Sequence, residues 1–431
     1  MRVLRPRQIT LAFLCVILLV FAAPAFANDY YVSPAGSDSN DGSQARPWAT
    51  VQHAIGAFSL ASGGTTIHVA AGTYASGISI NRGGSSTSVR LVLRCDSGVG
   101  SATRAIGQCK VTGSGNGISV TGNNVDVVGF DIGGNANMVL GVISIYQGSA
   151  VASTGGNSLH VIGNYIHDLA ASVSGPNGVG CPANGAIQLN NQHGHTMTDQ
   201  QAIGNLVVRF GTGTATPGCN QAQGIYAISP GSIIENNIVV GSPFGNIQIT
   251  TPCNTIVSNN VMINAQAGLV LEESDSNLCP GGVPGLNTFN NNYFAGHSNT
   301  FGHVYWVSGS SACTNSTPNQ FGSNMTDGTT KDFYSNFSCD TVTPKSIIHQ
   351  TPTSFFVSYQ SNGSGDYHLQ SNSIAVNAGT TTCVSGGLSP CTPAVDFAGL
   401  TRLDTLSVGA YDVVQSGSTL PAPTGLTATV I

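Results

Sequence analysis

The sequence predicts an all-β solenoid built from stacked coils, and three observations carry that prediction. Five segments repeat one phrase, apolar residues set around an asparagine: Val161-Ile-Gly-Asn-Tyr-Ile166, Ala202-Ile-Gly-Asn-Leu-Val207, Ile234-Glu-Asn-Asn-Ile238, Val257-Ser-Asn-Asn-Val261 and Phe289-Asn-Asn-Asn-Tyr293. A second short run, led by glycine, recurs as Gly117-Ile-Ser-Val120, Gly141-Val-Ile-Ser-Ile145, Gly185-Ala-Ile-Gln-Leu189, Gly224-Ile-Tyr-Ala227, Gly245-Asn-Ile-Gln-Ile249, Gly268-Leu-Val-Leu271 and Gly302-His-Val-Tyr-Trp306. Only 7% of residues are charged while 55 are glycine, which suits turns and short strands rather than helical surfaces.

The repeated asparagines are Asn164, Asn205, Asn237, Asn260 and Asn292, with gaps of 41, 32, 23 and 32 residues. A coil of about 23 residues therefore recurs with loops of variable length inserted, the mark of a solenoid. Asparagine tolerates the left-handed backbone conformation, so the spelling predicts a stack of asparagines at one tight corner between two strands. An earlier coil fits with Phe130 in the same slot. The glycine-led strands cannot bury a face alone, and their inward residues at period two require coils above and below. Trp48, Val51, Ile55 and Phe58 are spaced at three and four, which predicts a short amphipathic helix capping the open end of the core.

The opening, Tyr30-Tyr-Val-Ser-Pro-Ala-Gly-Ser-Asp-Ser-Asn-Asp-Gly42 with Pro47-Trp-Ala-Thr-Val-Gln-His-Ala-Ile55 and Ile67-His-Val-Ala-Ala-Gly-Thr-Tyr74, resembles the start of many secreted β-helix proteins, some polysaccharide lyases among them. Over residues 29 to 412 the chain resembles the pectate-lyase-like superfamily. That resemblance implies a single-stranded right-handed parallel β-helix. It does not fix an activity, because one fold hosts many.

Residues 1–27 read as a secretion signal: Arg2, Arg5 and Arg7 precede an apolar run from Leu11 to Phe21, and Ala25-Phe-Ala27 supplies the small residues of a cleavage site. The run is too short for an ordinary membrane span. Removing the signal leaves 10 basic against 19 acidic residues, a net charge of −9. So few cations argue against nucleic acid as a partner. Setting aside Cys15, ten cysteines remain in a chain bound for an oxidising compartment, and disulfides are the expected state. Cys181 and Cys219 precede consecutive glycine-led strands at the same level, so stacking should join them. Cys253 and Cys279 likewise follow consecutive strands, and Cys95 with Cys109, Cys313 with Cys339 and Cys383 with Cys391 remain. No close Cys/His spacing suggests a metal site.

Near the end, Asp366-Tyr-His-Leu369, Ser373-Ile-Ala-Val-Asn-Ala-Gly379, Asp396, Gly399, Arg402 and Val408-Gly-Ala-Tyr-Asp412 resemble the closing, choice-of-anchor-like segment of bacterial β-helix proteins. A capping segment is expected from about residue 366. Residues 413–431 read as a Ser/Gly/Pro linker entering a fibronectin-type-III-like first strand, expected to be disordered because one strand forms no sandwich.

A site on such a fold is sought on the outward residues of the glycine-led strands. One column is expected to run Ser119, Ser144, Gln188, Tyr226, Gln248, Val270 and Tyr305, and the next Thr121, Tyr146, Asn190, Ile228, Thr250, Glu272 and Val307. Tyrosine faces and paired amides suit an extended sugar chain, which names Tyr146, Gln188, Asn190, Tyr226, Gln248 and Tyr305 as substrate-binding candidates. Long loops, 167–184, 190–201, 210–223 and 273–287, would wall the face into a groove. Leu271-Glu-Glu-Ser-Asp275 is the sharpest catalytic candidate, with Glu272 on the face and Asp275 a better partner than the oppositely directed Glu273. His193 and His195 flank Gly194 and offer a base, His193 being the third catalytic candidate.

In several β-helix lyases the base resembles a Lys or Arg on the groove, with calcium on clustered aspartates; here Lys110, Lys331 and Lys345 all fall off the columns. Calcium remains open at Ser37-Asp-Ser-Asn-Asp41, a turn rich in oxygen ligands. The expectation is a secreted, monomeric, disulfide-stapled protein that binds and in one reading cleaves extracellular polysaccharide, as lyase or glycoside hydrolase. The alternative is a non-catalytic adhesin or structural surface protein.

Overall fold

The structure, a computed structural model, describes residues 27–96, 108–135, 138–148, 153–169, 173–174, 180–181, 184–210, 222–272, 276–279, 282, 285–307, 319–333, 347–402 and 406–412. Leader residues 1–26, Glu273, Asp275, Cys219, Cys313, Cys339 and the tail from 413 lie outside them, as do most residues of loops 170–183 and 211–221.

Each coil crosses three parallel sheets. One coil lays Leu159–Ile162 into sheet A, Tyr165–Leu169 into sheet B and Asn184–Leu189 into sheet C. The following coil repeats that path one step along the axis, pairing Val161 with Ala202, Ile166 with Val207 and Ile187 with Ile225 in parallel. Among the described residues sheet A has nine strands, from Asn28–Val32 to Thr288–Asn290. Sheet B has ten, from Gly72–Ala75 to Ile347–His349, and sheet C eight, from Ile78–Ile80 to Val304–Val307. The fold is a right-handed parallel β-helix, the hand that parallel crossovers take when right-twisted strands feed them.

Period-two alternation fills the interior. Val161, Ala202 and Ile234 of sheet A, Ile166, Val207 and Val239 of sheet B, and Ile187, Ile225 and Ile247 of sheet C belong to one continuous buried cluster. The glycines of the sheet C strands are explained by space. A Cβ on Gly224 would stand 2.2 Å from Val239 Cγ1, one on Gly141 2.6 Å from Ile166 Cγ2, and one on Gly268 2.5 Å from Phe294 Cδ1.

The asparagine stack sits at the corner between sheets A and B, but its physical cause differs from the expected one. The left-handed residue is the preceding one, Gly163, Gly204, Asn236, Asn259 or Asn291. The repeated asparagine points inward and builds a ladder: Asn164 N donates to Asn205 Oδ1 at 3.0 Å, Asn205 N to Asn237 Oδ1 at 2.9 Å, Asn237 N to Asn260 Oδ1 at 2.9 Å and Asn260 N to Asn292 Oδ1 at 3.0 Å. Phe130 takes its place at the start by donating its backbone N–H to Asn164 Oδ1 at 2.9 Å. The ladder runs one rung further than expected, because Asn292 N donates to Asn324 Oδ1 at 2.9 Å.

Helix α1, Val51–Ala57, buries Val51, Ala54 and Ile55 and is N-capped by Thr50, whose hydroxyl accepts from His53 N. It covers the first edge of sheet C as expected: Ser79 N donates to Gln52 Oε1 at 2.8 Å and Gln52 Nε2 returns a bond to Ser79 O at 3.2 Å. In the Ser37–Asp41 turn the carboxylates serve the backbone. Asp38 Oδ1 accepts from Ala49 N and Thr50 N at 2.9 Å each, and Asp41 Oδ1 from Ser43 N at 3.0 Å. Three of the expected disulfides are formed, Cys95–Cys109, Cys253–Cys279 and Cys383–Cys391.

The closing segment runs back along the flank of sheet B as a strap. Phe355, Phe356, Tyr367, Leu369, Phe397, Val408 and Tyr411 form a second buried cluster with Val208, Val240, Ile263 and Tyr293 on that sheet's outer face. The left-handed asparagines anchor it: Asn236 Nδ2 donates to Val395 O at 2.6 Å, Asn259 Nδ2 to Ser407 O at 3.0 Å and Asn291 Nδ2 to Thr380 O at 2.9 Å. Under the strap lie Glu235, Asp396, Arg402 and Asp412, each with less than a tenth of its surface exposed. Burial raises the Glu235 carboxyl to about 7, although Ser258 Oγ donates to it at 2.9 Å. Burial likewise raises Asp396 and depresses Arg402.

Candidate functional site

Strand register settles which residues share a column on sheet C. Ser119 pairs with Ile143, Ile143 with Gln188, Gln188 with Tyr226, Tyr226 with Gln248, Gln248 with Val270 and Val270 with Tyr305. Ile143 therefore holds the slot expected for Ser144. Ser144 instead turns inward, fully buried, and donates to Gly156 O at 2.9 Å. The apolar pair Val142-Ile143 conceals the alternation, and a slip of one residue exchanges the two faces of a strand. The same slip removes Tyr146 from the second column; it lies beyond the strand Met138–Ser144, its ring 4.5 Å from that of His195.

The columns were expected to line an open groove, but their middle is covered. Gln188, Asn190, Tyr226, Gln248, Thr250 and Val270 are all less than a tenth exposed. Asn190 cannot meet a sugar, because its side chain anchors the following loop from a left-handed backbone position. Its Nδ2 donates to His195 O at 2.9 Å and Ser229 Oγ at 3.0 Å, and its Oδ1 accepts from Gln192 N at 3.0 Å. Gln188 is buried too, and its Oε1 has no hydrogen-bond partner among the described residues. Solvent reaches His193, which is exposed, and Tyr146, His195, Glu272 and Tyr305, which are half-buried.

Two hydrogen-bonded chains run to two of these groups, Glu272 and His193. In one, Gln223 Nε2 donates to Gln248 Oε1 at 2.6 Å and Gln248 Nε2 donates to Glu272 Oε2 at 2.8 Å, which orients the carboxylate. In the other, Thr250 Oγ1 donates to Tyr226 OH at 3.1 Å and Tyr226 OH lies 3.0 Å from His193 Nε2. A phenol that accepts from Thr250 has its own hydrogen available for the imidazole. Thr250 stands beside Glu272 because Ile249 pairs with Leu271, one coil spacing of about 4.8 Å apart. His193, Tyr226, Gln248, Thr250 and Glu272 are thus gathered by three strands and one loop. Beside them Phe301 and Tyr305 pack edge to face at 4.9 Å over buried Phe244 and Val270.

A buried chain that sequence reasoning missed lies where sheet B passes into sheet C. His297 Nε2 is 2.8 Å from Asn246 Oδ1, His297 Nδ1 is 2.7 Å from His303 Nδ1, and His303 Nε2 is 3.2 Å from Asp327 Oδ1. Burial and the neighbouring His303 push the His297 imidazole well below the ordinary histidine range. Burial would raise Asp327, but His303 and the Thr329 and Gly296 amides hold it below the ordinary carboxylate range. Among the described residues no three His, Cys, Asp or Glu side chains gather closely enough to hold a metal ion.

No protein-family model and no curated protein matches this chain. Among solved structures it is similar to the pectate lyase Pel9A, at 16% identity over 89% of this chain and 96% of that one, with a TM-score of 0.45. It is also similar to a rhamnogalacturonan lyase, at 12% identity over 69% and 74% of the two chains with a TM-score of 0.43. A third is an alginate lyase from a Paenibacillus species, at 12% identity over 70% and 97% with a TM-score of 0.32.

Proposed function

We propose that the sheet C face binds extracellular polysaccharide and that Glu272 is its catalytic carboxylate. The observation that carries this reading is the convergence on Glu272: an amide chain orients the carboxylate, the Thr250–Tyr226–His193 chain runs alongside, and half-buried aromatic rings stand one coil away. Tyr146 and Tyr305, which solvent reaches, offer hydroxyls and ring faces to a sugar chain laid beside Glu272. In this reading Glu272 transfers a proton at the glycosidic oxygen, and Asp275, three residues downstream, supplies the second carboxylate that hydrolysis uses. Export through the 1–27 leader accords with the three formed disulfides.

The test is to incubate the mature chain with neutral and acidic polysaccharides and record new reducing ends and unsaturated products separately. New reducing ends without unsaturation are expected, and Glu272→Gln should lower their rate at least about 100-fold, the lower end of a general acid's contribution. Unchanged turnover in that variant would remove Glu272 from the mechanism.

A further inference from the structure

We infer that the glycan held at this face is uncharged, a neutral polysaccharide rather than a polyuronate or sulfated chain; the inference rests on the proposed site. Between Lys110 and Lys331 the sequence contains a single cationic side chain other than histidine, Arg209. That stretch supplies seven of the eight sheet C strands, from Gly115–Val120 to Val304–Val307, and every loop that joins them.

Arg209 is committed elsewhere. It projects from the sheet B strand Leu206–Phe210 and grips Asp168 with both ends of its fork, Nε to Oδ1 at 2.5 Å and Nη2 to Oδ2 at 2.7 Å, while Nη1 donates to Asn362 O of the strap at 3.3 Å.

Lys110 belongs to the sheet B strand Cys109–Thr112, Lys345 lies outside the described residues, and the two described cations that flank sheet C stand away from Glu272. Lys331 O accepts from His303 N at 2.9 Å, which puts Lys331 level with the start of the last sheet C strand, whereas Glu272 pairs with Val307 at its end. Four residues of strand separate those levels, about 13 Å. Arg82, just past the first sheet C strand, stands six coil spacings from the strand of Glu272, about 29 Å. Its Nη1 is held by Gly56 O at 2.9 Å and its Cζ lies 4.3 Å over the Phe58 ring.

The charges nearest to Glu272 in sequence are acidic too, Glu273 and Asp275. A sugar carboxylate or sulfate brought to Glu272 would find like charge and, among the described residues, no guanidinium or ammonium level with it to replace its water, whereas sugar hydroxyls find the hydroxyls of Tyr146 and Tyr305, which solvent reaches.

The experiment is affinity electrophoresis of the mature chain in gels containing xylan, galactan or mixed-linkage β-glucan, against polygalacturonate and alginate, each with calcium and with EDTA. At least one neutral polymer should retard the protein, and each acidic polymer should bind about tenfold more weakly or worse, with the gap narrowing in high salt and in Glu272→Gln. An acidic polymer that binds as well as the best neutral one, in either the calcium or the EDTA arm, overturns the neutral-glycan inference and leaves the site standing. A neutral polymer whose binding is unmoved by both Glu272→Gln and Tyr305→Ala overturns the site, and the inference falls with it. Failure of every polymer to bind does the same.

Discussion

Replacing Asn237 by alanine should be among the most damaging single changes the solenoid can suffer. The side chain is fully buried and makes five hydrogen bonds. Its Oδ1 accepts from Asn205 N and Asn205 Nδ2, both at 2.9 Å. Its Nδ2 donates to Ala202 O at 2.8 Å, Glu235 O at 3.0 Å and Asn260 Oδ1 at 3.0 Å. Alanine leaves two buried donors on Asn205 without an acceptor, and each costs about 1–3 kcal/mol when stranded. The loss should therefore reach about 2–6 kcal/mol, a large share of the roughly 5–15 kcal/mol that holds an ordinary domain together. Asn164→Ala is the internal comparison: at the start of the ladder its Oδ1 accepts from Phe130 N alone in the preceding coil, so one donor is stranded there instead of two. Urea unfolding followed by far-ultraviolet circular dichroism measures both losses. A loss below about 1 kcal/mol for Asn237→Ala, or one smaller than that of Asn164→Ala, would refute the assignment of the ladder as a structural element.

Glu235 makes stability depend on pH in a direction that can be worked out. Its carboxyl is raised from 4.5 to about 7 by burial under the strap, so the folded state holds a proton that the unfolded chain releases; stability from this group is full below about 4.5 and lost as pH rises through about 7. The difference corresponds to about 3 kcal/mol, and Glu235→Gln should remove that dependence and stabilise the protein at pH 8 relative to wild type; denaturation midpoints that fall in parallel for the two proteins would contradict this. Asn184 pairs with Ala222, and Cys181 and Cys219 each lie three residues before them, so peptide mapping of the non-reduced protein should find Cys181 joined to Cys219. Any other partner would mean that the two coils are out of register there.

The architecture was legible because it rests on local repetition. Phe130 could be placed in an asparagine slot from spelling alone, since the slot asks only for a backbone N–H from that coil. The reason for the asparagines was misread because the left-handed residue and the buried ladder residue are neighbours, and Asn-Asn pairs at 236–237, 259–260 and 291–292 hide which does which. Ser144 was displaced by Ile143 because two apolar neighbours blur a period of two. Within the site, Glu272, Gln248 and Tyr226 were placed on the face by alternation, whereas the burial of Gln248 and Tyr226 came from coverage that no periodicity records. The His297–His303–Asp327 chain joins loop residues with no repeat between them, and the strap's path along sheet B depends on contacts between residues more than 100 positions apart.

The strap also acts as a gauge of length. Coils joined only to their neighbours can be gained or lost one at a time during evolution, and the stretch from Asn237 to Asn260 is such a cassette of 23 residues. The strap breaks that freedom, for it carries a fixed series of attachment points that must meet Asn236, Asn259 and Asn291 on successive coils. Deleting one coil would leave it a full step too long, and adding one would leave it too short. The number of coils it spans is thus inherited as a unit, while the loops that reach toward sheet C remain free to change.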